Sequence, residues 1–398
     1  MYGDLDKALK ESLAKIQDSG LYKRERALST AQSSHIATSG REVLNFCANN
    51  YLGLANNPKI IAAASAGMLQ WGFGMASVRF ICGTQDIHLE LEAAVSNLLQ
   101  TEATILFSSC FDANGGIFEA LFTEEDAIIS DELNHASLID GIRLSKAGRH
   151  RYRNRDLVDL EQILQATQSS RQRIIVTDGV FSMDGYLAPL PEICDLAEKY
   201  NALVMVDDSH AVGFIGASGG GTPEYFGVVD RVDIVTGTFG KALGGAAGGY
   251  VSGRKAIVEM LRQKARPYLF SNSLPPAIVI GTLTAIELVK SGGALRDQLQ
   301  ANAAYFRELM SQAGFELRSG SHPIIPVMFG DAHVATAIAS EMLNEGIFVT
   351  AFSYPVVPLN AARIRVQLSA AHSRADIERC VRAFIQARSI VDASTIAT

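Results

Sequence analysis

The chain has 398 residues, and 35 basic against 42 acidic residues give it a formal net charge of −7. At about 150 residues per domain, this length predicts two or three domains with a large apolar core that needs no disulfide or metal ion. The negative charge disfavours binding to nucleic acid or an anionic membrane, but it permits an anionic ligand in a local basic pocket. No apolar run is long enough to span a bilayer. Five scattered cysteines without a CxxC pair, and histidines without metal-ligand spacing, predict a reduced, cytoplasmic protein with no metal site.

The first two-thirds of the chain shows the pattern of an α/β protein. A predicted helix at 4–18 and an extended segment at 42–47 come before a turn-rich stretch, NNYLGLANNP. From about residue 60 to 285, helical stretches alternate with short apolar runs, which is typical of a mainly parallel sheet buried on both faces. We predict its strands at 103–107, 127–130, 173–177, 202–206 and 232–236.

The C-terminal part has a different pattern. Predicted strands at 324–329, 347–352 and 363–368 accompany helices at 333–345 and 374–392. We therefore expect three parts in an α/β fold: an N-terminal arm and helix at 1–57, a large α/β domain at 58–290, and a small α+β domain at 291–398.

Polar residues follow three strands of the predicted sheet. Ser182 comes after the third strand, Asp207 and His210 follow the fourth, and Lys241 follows the fifth. Ligands of open parallel sheets bind beyond the carboxyl ends of the strands, so we expect these side chains to converge on one cleft.

An aspartate and a lysine in one cleft suit pyridoxal 5′-phosphate (PLP). The lysine forms a Schiff base with the aldehyde, and the carboxylate keeps the pyridine nitrogen protonated so that the ring accepts electrons. Lys241 lies in a glycine-rich stretch, GTFGKALGGAAGG, which allows the backbone to approach a phosphate closely. The hydroxyl of Thr238 lies three residues before the lysine.

A competing motif is the nucleophile elbow GxSxG of the α/β hydrolases, which the chain matches with Ser218 at its centre. The match lies well beyond its preceding strand, and Pro223 follows where a helix should run. We interpret it as a flexible glycine loop and keep a serine hydrolase as a remote alternative. A non-catalytic regulator on the same fold would need a recognition domain, and no segment is left to supply one.

Long segments of the chain resemble the α-oxoamine synthases, which are fold-type I PLP enzymes with an aminotransferase-like fold. The resemblance runs nearly end to end. It is carried by NFCANNYLGLAN (45–56), GFGMASVRFICGTQDIHLELE (72–92), SSCFDANGG (108–116), DELNHASLIDGIRLSKA (131–147), DGVFSMDG (178–185), VDDSHAVG (206–213), TGTFGKALGGAAGGY (236–250), RPYLFSNSLPPAI (266–278) and ARIRVQLSAAH (362–372). The family condenses a small amino acid with an acyl-CoA.

The resemblance implies roles for the residues around the ring. Lys241 carries the cofactor and later moves the substrate α-proton, and Asp207 pairs with the pyridine nitrogen. His210 and Ser182 meet the ring hydroxyl oxygen. His135 lies over the pyridine face, although its position in the sequence equally suits a helix-capping or core histidine.

The resemblance also implies a phosphate site shared between two subunits. Backbone groups of Cys110 and Phe111 hold the phosphate, and Thr238 assists them. In this family the active site lies at a homodimer interface, so Ser271 and Asn272 reach the phosphate of the partner subunit.

Substrate selection is implied by three further features. Asn50 lines the amino-acid pocket, and Arg365 binds the substrate carboxylate, for which a bidentate guanidinium is suited. We expect Arg363 to be a surface arginine on the opposite face of the strand. Residues 74–79 read GMASVR, where relatives with other products often carry a GSGGSR-like run. This favours glycine and acetyl-CoA as substrates and CoA and 2-amino-3-oxobutyrate as products, with 8-amino-7-oxononanoate, 5-aminolevulinate or sphingoid-base synthesis as alternatives.

Overall fold

A computed structural model describes residues 2–19, 22–23 and 25–396 of the chain. Its helices are α1 (Tyr2–Asp18), α2 (Pro58–Trp71), α3 (Asp86–Leu99), α4 (Cys110–Leu121), α5 (Ala136–Leu144), α6 (Leu157–Ala166), α7 (Leu190–Tyr200), α8 (Thr222–Phe226), α9 (Lys255–Lys264), α10 (Arg266–Phe270), α11 (Pro276–Ser291), α12 (Gly293–Gln312), α13 (Ala332–Asn344) and α14 (Arg374–Ile396). Its strands are β1 (His35–Thr38), β2 (Arg41–Asn45), β3 (Ala103–Phe107), β4 (Ala127–Asp131), β5 (Gly148–Tyr152), β6 (Arg173–Asp178), β7 (Val180–Phe181), β8 (Tyr186–Leu187), β9 (Leu203–Asp207), β10 (Ile234–Thr238), β11 (Gly249–Gly253), β12 (Ile324–Gly330), β13 (Ile347–Phe348), β14 (Ala351–Phe352) and β15 (Ala362–Gln367).

A seven-stranded sheet in the order β3-β11-β10-β9-β6-β4-β5 forms the centre of the larger part of the molecule. Adjacent strands from β10 to β5 are parallel, and β11 is antiparallel to both of its neighbours. Successive residues of one strand enter different core layers, as Ile128 and Ile129 of β4 do. Because both faces are buried, the central strands are continuous apolar runs. The fold is therefore of the α/β class with a mainly parallel sheet, as the sequence predicted.

The predicted strands of this sheet are confirmed with small shifts at their ends. The last begins at Ile234 rather than 232: a 3-10 turn at Val229–Arg231 ends at Val232, and the Asp233 carboxylate accepts the N–H of Val204 at 2.9 Å. Two strands of the sheet escaped prediction. The edge strand β5 (GRHRY) is mostly exposed and carries polar residues, and β11 (GYVSG) is buried but glycine-rich.

The C-terminal part contains an antiparallel sheet, β12-β15-β14. The single strand predicted at 347–352 is wrong, because this segment forms two short strands, β13 and β14, in different sheets. β13 pairs in parallel with β2 of the N-terminal arm, with Ile347 opposite Leu44. The arm therefore joins the C-terminal part, and the segment after β2 lies beside β15, where the Gln367 N–H donates to the Phe46 carbonyl at 2.8 Å.

No single helix among the described residues is long and apolar enough to cross a bilayer. α11 and α12 pass that test only as a pair, across a bend of 76°. All five cysteines are free, and Cys194 and Cys380 are buried on α7 and α14.

Candidate active site

The carboxyl ends of β6, β9 and β10 lie side by side in the central sheet. Asp178, the last residue of β6, is opposite Asp207, the last residue of β9, and Thr236 of β10 is opposite Asp207 in turn. Lys241 follows β10 by three residues and lies within electrostatic range of Asp207 and Asp178. The structure therefore brings these strand-end residues together in one cleft.

Asp207 is held rigidly at the base of this cleft. Its side chain is buried, and its Oδ2 accepts a hydrogen bond from Asn114 Nδ2 at 2.6 Å. Its Oδ1 accepts the backbone N–H of Ser209 at 3.0 Å, and the Cys110 thiol lies 3.7 Å from Oδ2. Because these donors fix its orientation, the carboxylate suits the protonated nitrogen of a pyridine ring.

Lys241 is the cationic group of the cleft. Among the described residues, its Nζ has no hydrogen-bond or ion-pair partner. Burial lowers the pKa of Lys241, and the nearby Asp207 carboxylate opposes this shift. A lysine that loses its proton more readily than a surface lysine, and that is not held by another side chain, is suited to Schiff-base formation.

His135 is the N-cap of α5. Its Nδ1 accepts the Ser137 N–H at 3.3 Å and lies 2.7 Å from Ser137 Oγ, while its own backbone N–H donates to the Asp178 carboxylate at 3.1 Å. The helix-capping interpretation of this histidine is therefore confirmed. The cap leaves Nε2 without a partner among the described residues, so capping and a contact with a ligand are compatible.

His210 lies at the other side of the same cluster. Its Nδ1 is 2.8 Å from the Tyr51 hydroxyl, which in turn lies 2.9 Å from Gln367 Oε1. Its backbone carbonyl accepts from His322 Nε2 at 2.8 Å. Burial, together with the positive charges of Lys241 and Arg365, holds the pKa of His210 well below its usual value.

The N-terminus of α4 offers a site for an anion. Cys110 and Phe111 are its first residues, and the N-cap Ser109 accepts the Asp112 N–H at 3.0 Å. The first N–H groups of a helix have no partner within the helix, and with the helix dipole they favour a phosphate. Gly249 of β11 passes so close that an added Cβ would lie 2.2 Å from the Cys110 nitrogen, which explains the glycine at this position.

Thr238 continues this backbone-lined region at the end of β10. Its Oγ1 accepts the Gly240 N–H at 3.0 Å and donates to the Gly248 carbonyl at 3.2 Å. These bonds hold the loop that leads from β10 to Lys241.

Arg365 faces the segment that contains Ser182. Its Nη1 donates to the Ser182 carbonyl at 3.1 Å, and its guanidinium lies 4.8 Å from the centre of the Phe352 ring. The buried Nε atom of Arg365 has no hydrogen-bond partner among the described residues. An unsatisfied guanidinium N–H is suited to donate to a carboxylate.

The prediction for Arg363 is wrong. It is buried, with 2% of its surface exposed, and it forms an ion pair with Asp184 and donates to the Met183 carbonyl at 3.1 Å. Residues two apart on a strand point to the same face, so Arg363 and Arg365 both turn toward the 182–184 segment. Arg363 anchors this segment, whereas Arg365 keeps a free donor.

Three predicted residues lie at the margins of this arrangement. Asn50 is buried, and its Oδ1 accepts the Ala55 N–H at 3.2 Å. The Asn272 carbonyl accepts from Ser108 Oγ at 3.2 Å, beside the start of α4, and Ser271 follows the end of α10. No hydrogen bond among the described residues joins Ser271 or Asn272 to Lys241.

Ser218 does not form a hydrolase site. Its hydroxyl donates to Glu224 Oε1 at 2.7 Å, and its backbone N–H donates to the same carboxylate at 3.0 Å. No histidine of the described chain is hydrogen-bonded to it. The GxSxG match is therefore a glycine loop closed on Glu224, as we interpreted it. The described residues also contain no group of three His, Cys, Asp or Glu side chains that could hold a metal ion.

Sequence reasoning missed the side chains that hold the site residues in place. Asn114 and Ser137 join Asp207 to His135, and Tyr51 and Gln367 support His210. Asn114 and Tyr51 lie inside the quoted segments SSCFDANGG and NFCANNYLGLAN, which were the available signal.

The comparisons with known proteins agree with this geometry. The family described as Aminotransferase class I and II matches residues 41–384. The chain therefore belongs to this family.

Its relatives include proteins named 2-amino-3-ketobutyrate coenzyme A ligase. That of Escherichia coli K12 is 59% identical and covers 96% of this chain and 97% of its own length, and the mitochondrial protein of Bos taurus is 55% identical, covering 95% and 91%. A structure of Sphingomonas wittichii serine palmitoyltransferase is 30% identical with a TM-score of 0.92 and covers 98% of both chains. These likenesses confirm the resemblance to the α-oxoamine synthases and the aminotransferase-like fold.

Proposed function

We propose that this chain is a PLP-dependent glycine C-acetyltransferase, which joins glycine to acetyl-CoA and releases CoA and 2-amino-3-oxobutyrate. The observation that carries the proposal is the position of Lys241. Its amine has no partner among the described residues, burial lowers its pKa, and it lies near the fixed Asp207 carboxylate and a helix N-terminus. The names of the bacterial and mammalian relatives support the choice of substrates. We propose that in cells the chain also catalyses the reverse reaction, in which CoA cleaves 2-amino-3-oxobutyrate during threonine breakdown.

The cofactor fits the groups of the cleft. PLP, held by Lys241 through a Schiff base, supplies an electron sink for a carbanion at the substrate α-carbon. The Asp207 carboxylate would keep the ring nitrogen protonated, and His210 and Ser182 would contact the ring oxygen. The N–H groups of Cys110 and Phe111 would hold the phosphate. A related structure, SPT with a PLP internal aldimine, has a TM-score of 0.92 and 30% identity to this chain.

The remaining residues bind and orient the amino acid. The Arg365 guanidinium would bind the glycine carboxylate, and Asn50 would line the same pocket. His135 would cover the ring face and offer Nε2 to the substrate. Lys241 would act as the general base that takes the α-proton of glycine.

A homodimer would complete the phosphate site through Ser271 and Asn272. Exposed apolar side chains flank these residues: Phe270, Phe73, Phe80 and Ile81 are at least 63% exposed. The loops that carry them are joined where the Ser273 N–H donates to the Ser77 carbonyl at 3.1 Å. An apolar patch of this kind beside a phosphate site is typical of a subunit interface. The exposed apolar stripe of α1, with Leu5, Leu9 and Leu13, adds a second such surface.

A cytoplasmic location remains part of the proposal. The five free cysteines are the observation that supports it, because disulfides are rare where thiols are kept reduced.

The test is a spectrum of the purified protein combined with a substrate panel. We expect a visible absorption band that borohydride abolishes. We also expect release of CoA thiol from acetyl-CoA in the presence of glycine, and consumption of CoA thiol in the presence of 2-amino-3-oxobutyrate. Lys241→Ala should lose the band and turnover, whereas Lys290→Ala, which changes an exposed lysine of α11, should keep both. A colourless protein that cannot be reconstituted with PLP contradicts the cofactor. Faster turnover with a longer acyl-CoA than with acetyl-CoA contradicts the substrate.

A further inference from the structure

The histidines of this chain divide by the hydrogen bond that their Nδ1 atom makes. In four of them Nδ1 accepts a backbone N–H: His88 from Gln85 at 3.1 Å, His135 from Ser137 at 3.3 Å, His322 from Ile324 at 2.9 Å, and His372 from Ser369 at 3.0 Å. A backbone N–H can only donate, so Nδ1 carries no proton in these rings. A neutral imidazole has one N–H, and in these four it is therefore on Nε2.

His210 is different, because its Nδ1 faces two hydrogen-bonded side chains, Tyr51 and Gln367, which we call the relay. Gln367 Nε2 donates to the Cys47 carbonyl at 2.8 Å, and this bond fixes the orientation of the amide. Gln367 Oε1 therefore faces the Tyr51 hydroxyl at 2.9 Å, and since it can only accept, the single phenolic proton is given to it. The Tyr51 oxygen must then accept from His210 Nδ1, 2.8 Å away. Reversing the amide would bring two acceptors together at Cys47.

The relay is shielded from water. Tyr51 is fully buried, Gln367 is 1% exposed, and His210 is 8% exposed. Burial and the neighbouring cations Lys241 and Arg365 hold the pKa of His210 well below its usual value, so the ring is neutral at pH 7. Burial also raises the pKa of Tyr51, and the phenol therefore keeps the proton that the relay needs.

We propose that Tyr51 and Gln367 are positioning residues that hold His210 in the Nδ1–H tautomer, so that its Nε2 offers a lone pair to the cleft. The ligand of that lone pair rests on the proposed function: it is the ring oxygen of PLP, which His210 can hydrogen-bond only while the oxygen carries a proton. The tautomer itself is a property of the chain and does not depend on catalysis. His135, with Nε2–H, faces the same cleft as a donor.

The tautomer is read directly by NMR. The full-length protein, labelled with ¹⁵N-histidine, is studied through long-range proton–nitrogen correlations, which distinguish a protonated from an unprotonated ring nitrogen. We expect one slowly exchanging histidine with its proton on Nδ1, and His210→Asn should remove that signal. A His210 spectrum with the proton on Nε2 or on both nitrogens would overturn the proposal, whether or not the protein binds PLP or turns over glycine.

Two variants test the relay. In Tyr51→Phe the acceptor for Nδ1–H is lost, and we expect His210 to change to Nε2–H while His135 is unchanged. In the PLP-bound protein the absorbance of the visible band, which belongs to the form with a deprotonated ring oxygen, should increase. The absorbance of the near-ultraviolet band should decrease. Tyr250→Phe is the matched control, since it removes another buried hydroxyl, one without a hydrogen-bond partner. An unchanged His210 tautomer in Tyr51→Phe rules out the relay.

A second pair of variants serves if Tyr51→Phe does not fold. In Gln367→Glu the new carboxyl group is buried against the Cys47 carbonyl and should keep its proton to donate to that oxygen. Its other oxygen still accepts from Tyr51, so the Nδ1–H signal of His210 should persist. Gln367→Leu removes the acceptor and frees the phenolic proton for His210, so that signal should disappear. The same tautomer in both variants would contradict the role of Gln367.

Discussion

The two ends of the proposed cofactor site are formed by different kinds of groups, main-chain groups at one end and side chains at the other. The phosphate end consists of backbone: the first N–H groups of α4, the close passage of Gly249, and the loop after Thr238. The ring end consists of side chains: the buried Asp207 and His210 and the more exposed His135 are each held by other side chains. Backbone donors do not depend on which side chain their residue carries, whereas a side-chain network depends on every member. Substitutions should therefore act by different rules at the two ends.

The largest effect is expected at the ring end, from Asp207→Asn. The amide keeps the size of the carboxylate but cannot stabilise a protonated ring nitrogen, so kcat should fall about 10²–10³-fold, the cost of losing one preorganised electrostatic group. PLP should stay bound, because the phosphate end is untouched. The measurement is kcat for glycine and acetyl-CoA, alongside the PLP content of the purified variant.

Asp208→Asn is the matched control. Asp208 is also buried, but its carboxylate accepts from the Thr222 N–H and hydroxyl at 2.7 and 2.6 Å, outside the cleft. It should change stability more than kcat. Equal losses of kcat in both variants would contradict the proposed role of Asp207 in stabilising a protonated ring nitrogen.

At the phosphate end the expected effect is smaller and falls on binding. In Gly249→Ala the added Cβ would lie 2.2 Å from the Cys110 nitrogen, so the start of α4 must shift. Overpacking of this kind costs about 1–3 kcal/mol, which corresponds to roughly a 5- to 150-fold weaker affinity for PLP if the whole cost falls on binding. The affinity is measured by titrating PLP into protein stripped of cofactor.

Gly115→Ala provides the comparison within the same helix. An added Cβ there meets nothing within 4 Å, so PLP affinity should be unchanged. Wild-type affinity in Gly249→Ala would show that the phosphate end does not depend on this close approach.

The same contrast explains what the sequence could predict. Asp207 and Lys241 follow apolar strands, and the parallel-sheet pattern places such strand ends together without knowledge of any tertiary contact. Tyr51 and Gln367 were missed because their contact joins residues 316 positions apart. The contact forms where the N-terminal arm lies beside β15 and Gln367 bonds to Phe46 and Cys47. The division of the chain at 57/58 and 290/291 stays a prediction.

The errors have local causes. β5 was missed because arginines dominate its exposed edge, and β11 because glycines interrupt its apolar pattern. Arg363 was placed on the wrong face, although a residue two positions from Arg365 must share its face. Burial of a charged side chain against Asp184 gives no signal in composition or periodicity.

The smallest effect is expected from lowering the pH, and it should fall on the ring end. His322 supports the His210 carbonyl, and burial lowers its pKa from 6.5 to about 3. Between these values the unfolded chain binds a proton that the native ring does not. The free energy of unfolding therefore falls as pH drops below 6.5, by about 1.4 kcal/mol per pH unit for this residue.

His322→Gln removes this titration, so urea midpoints measured from pH 6 to 4 should decline less steeply than those of the wild type. His333→Gln, an exposed control, should leave the slope unchanged. Parallel slopes for His322→Gln and the wild type would mean that acid acts elsewhere, and the ring end would then be no more acid-sensitive than the phosphate end.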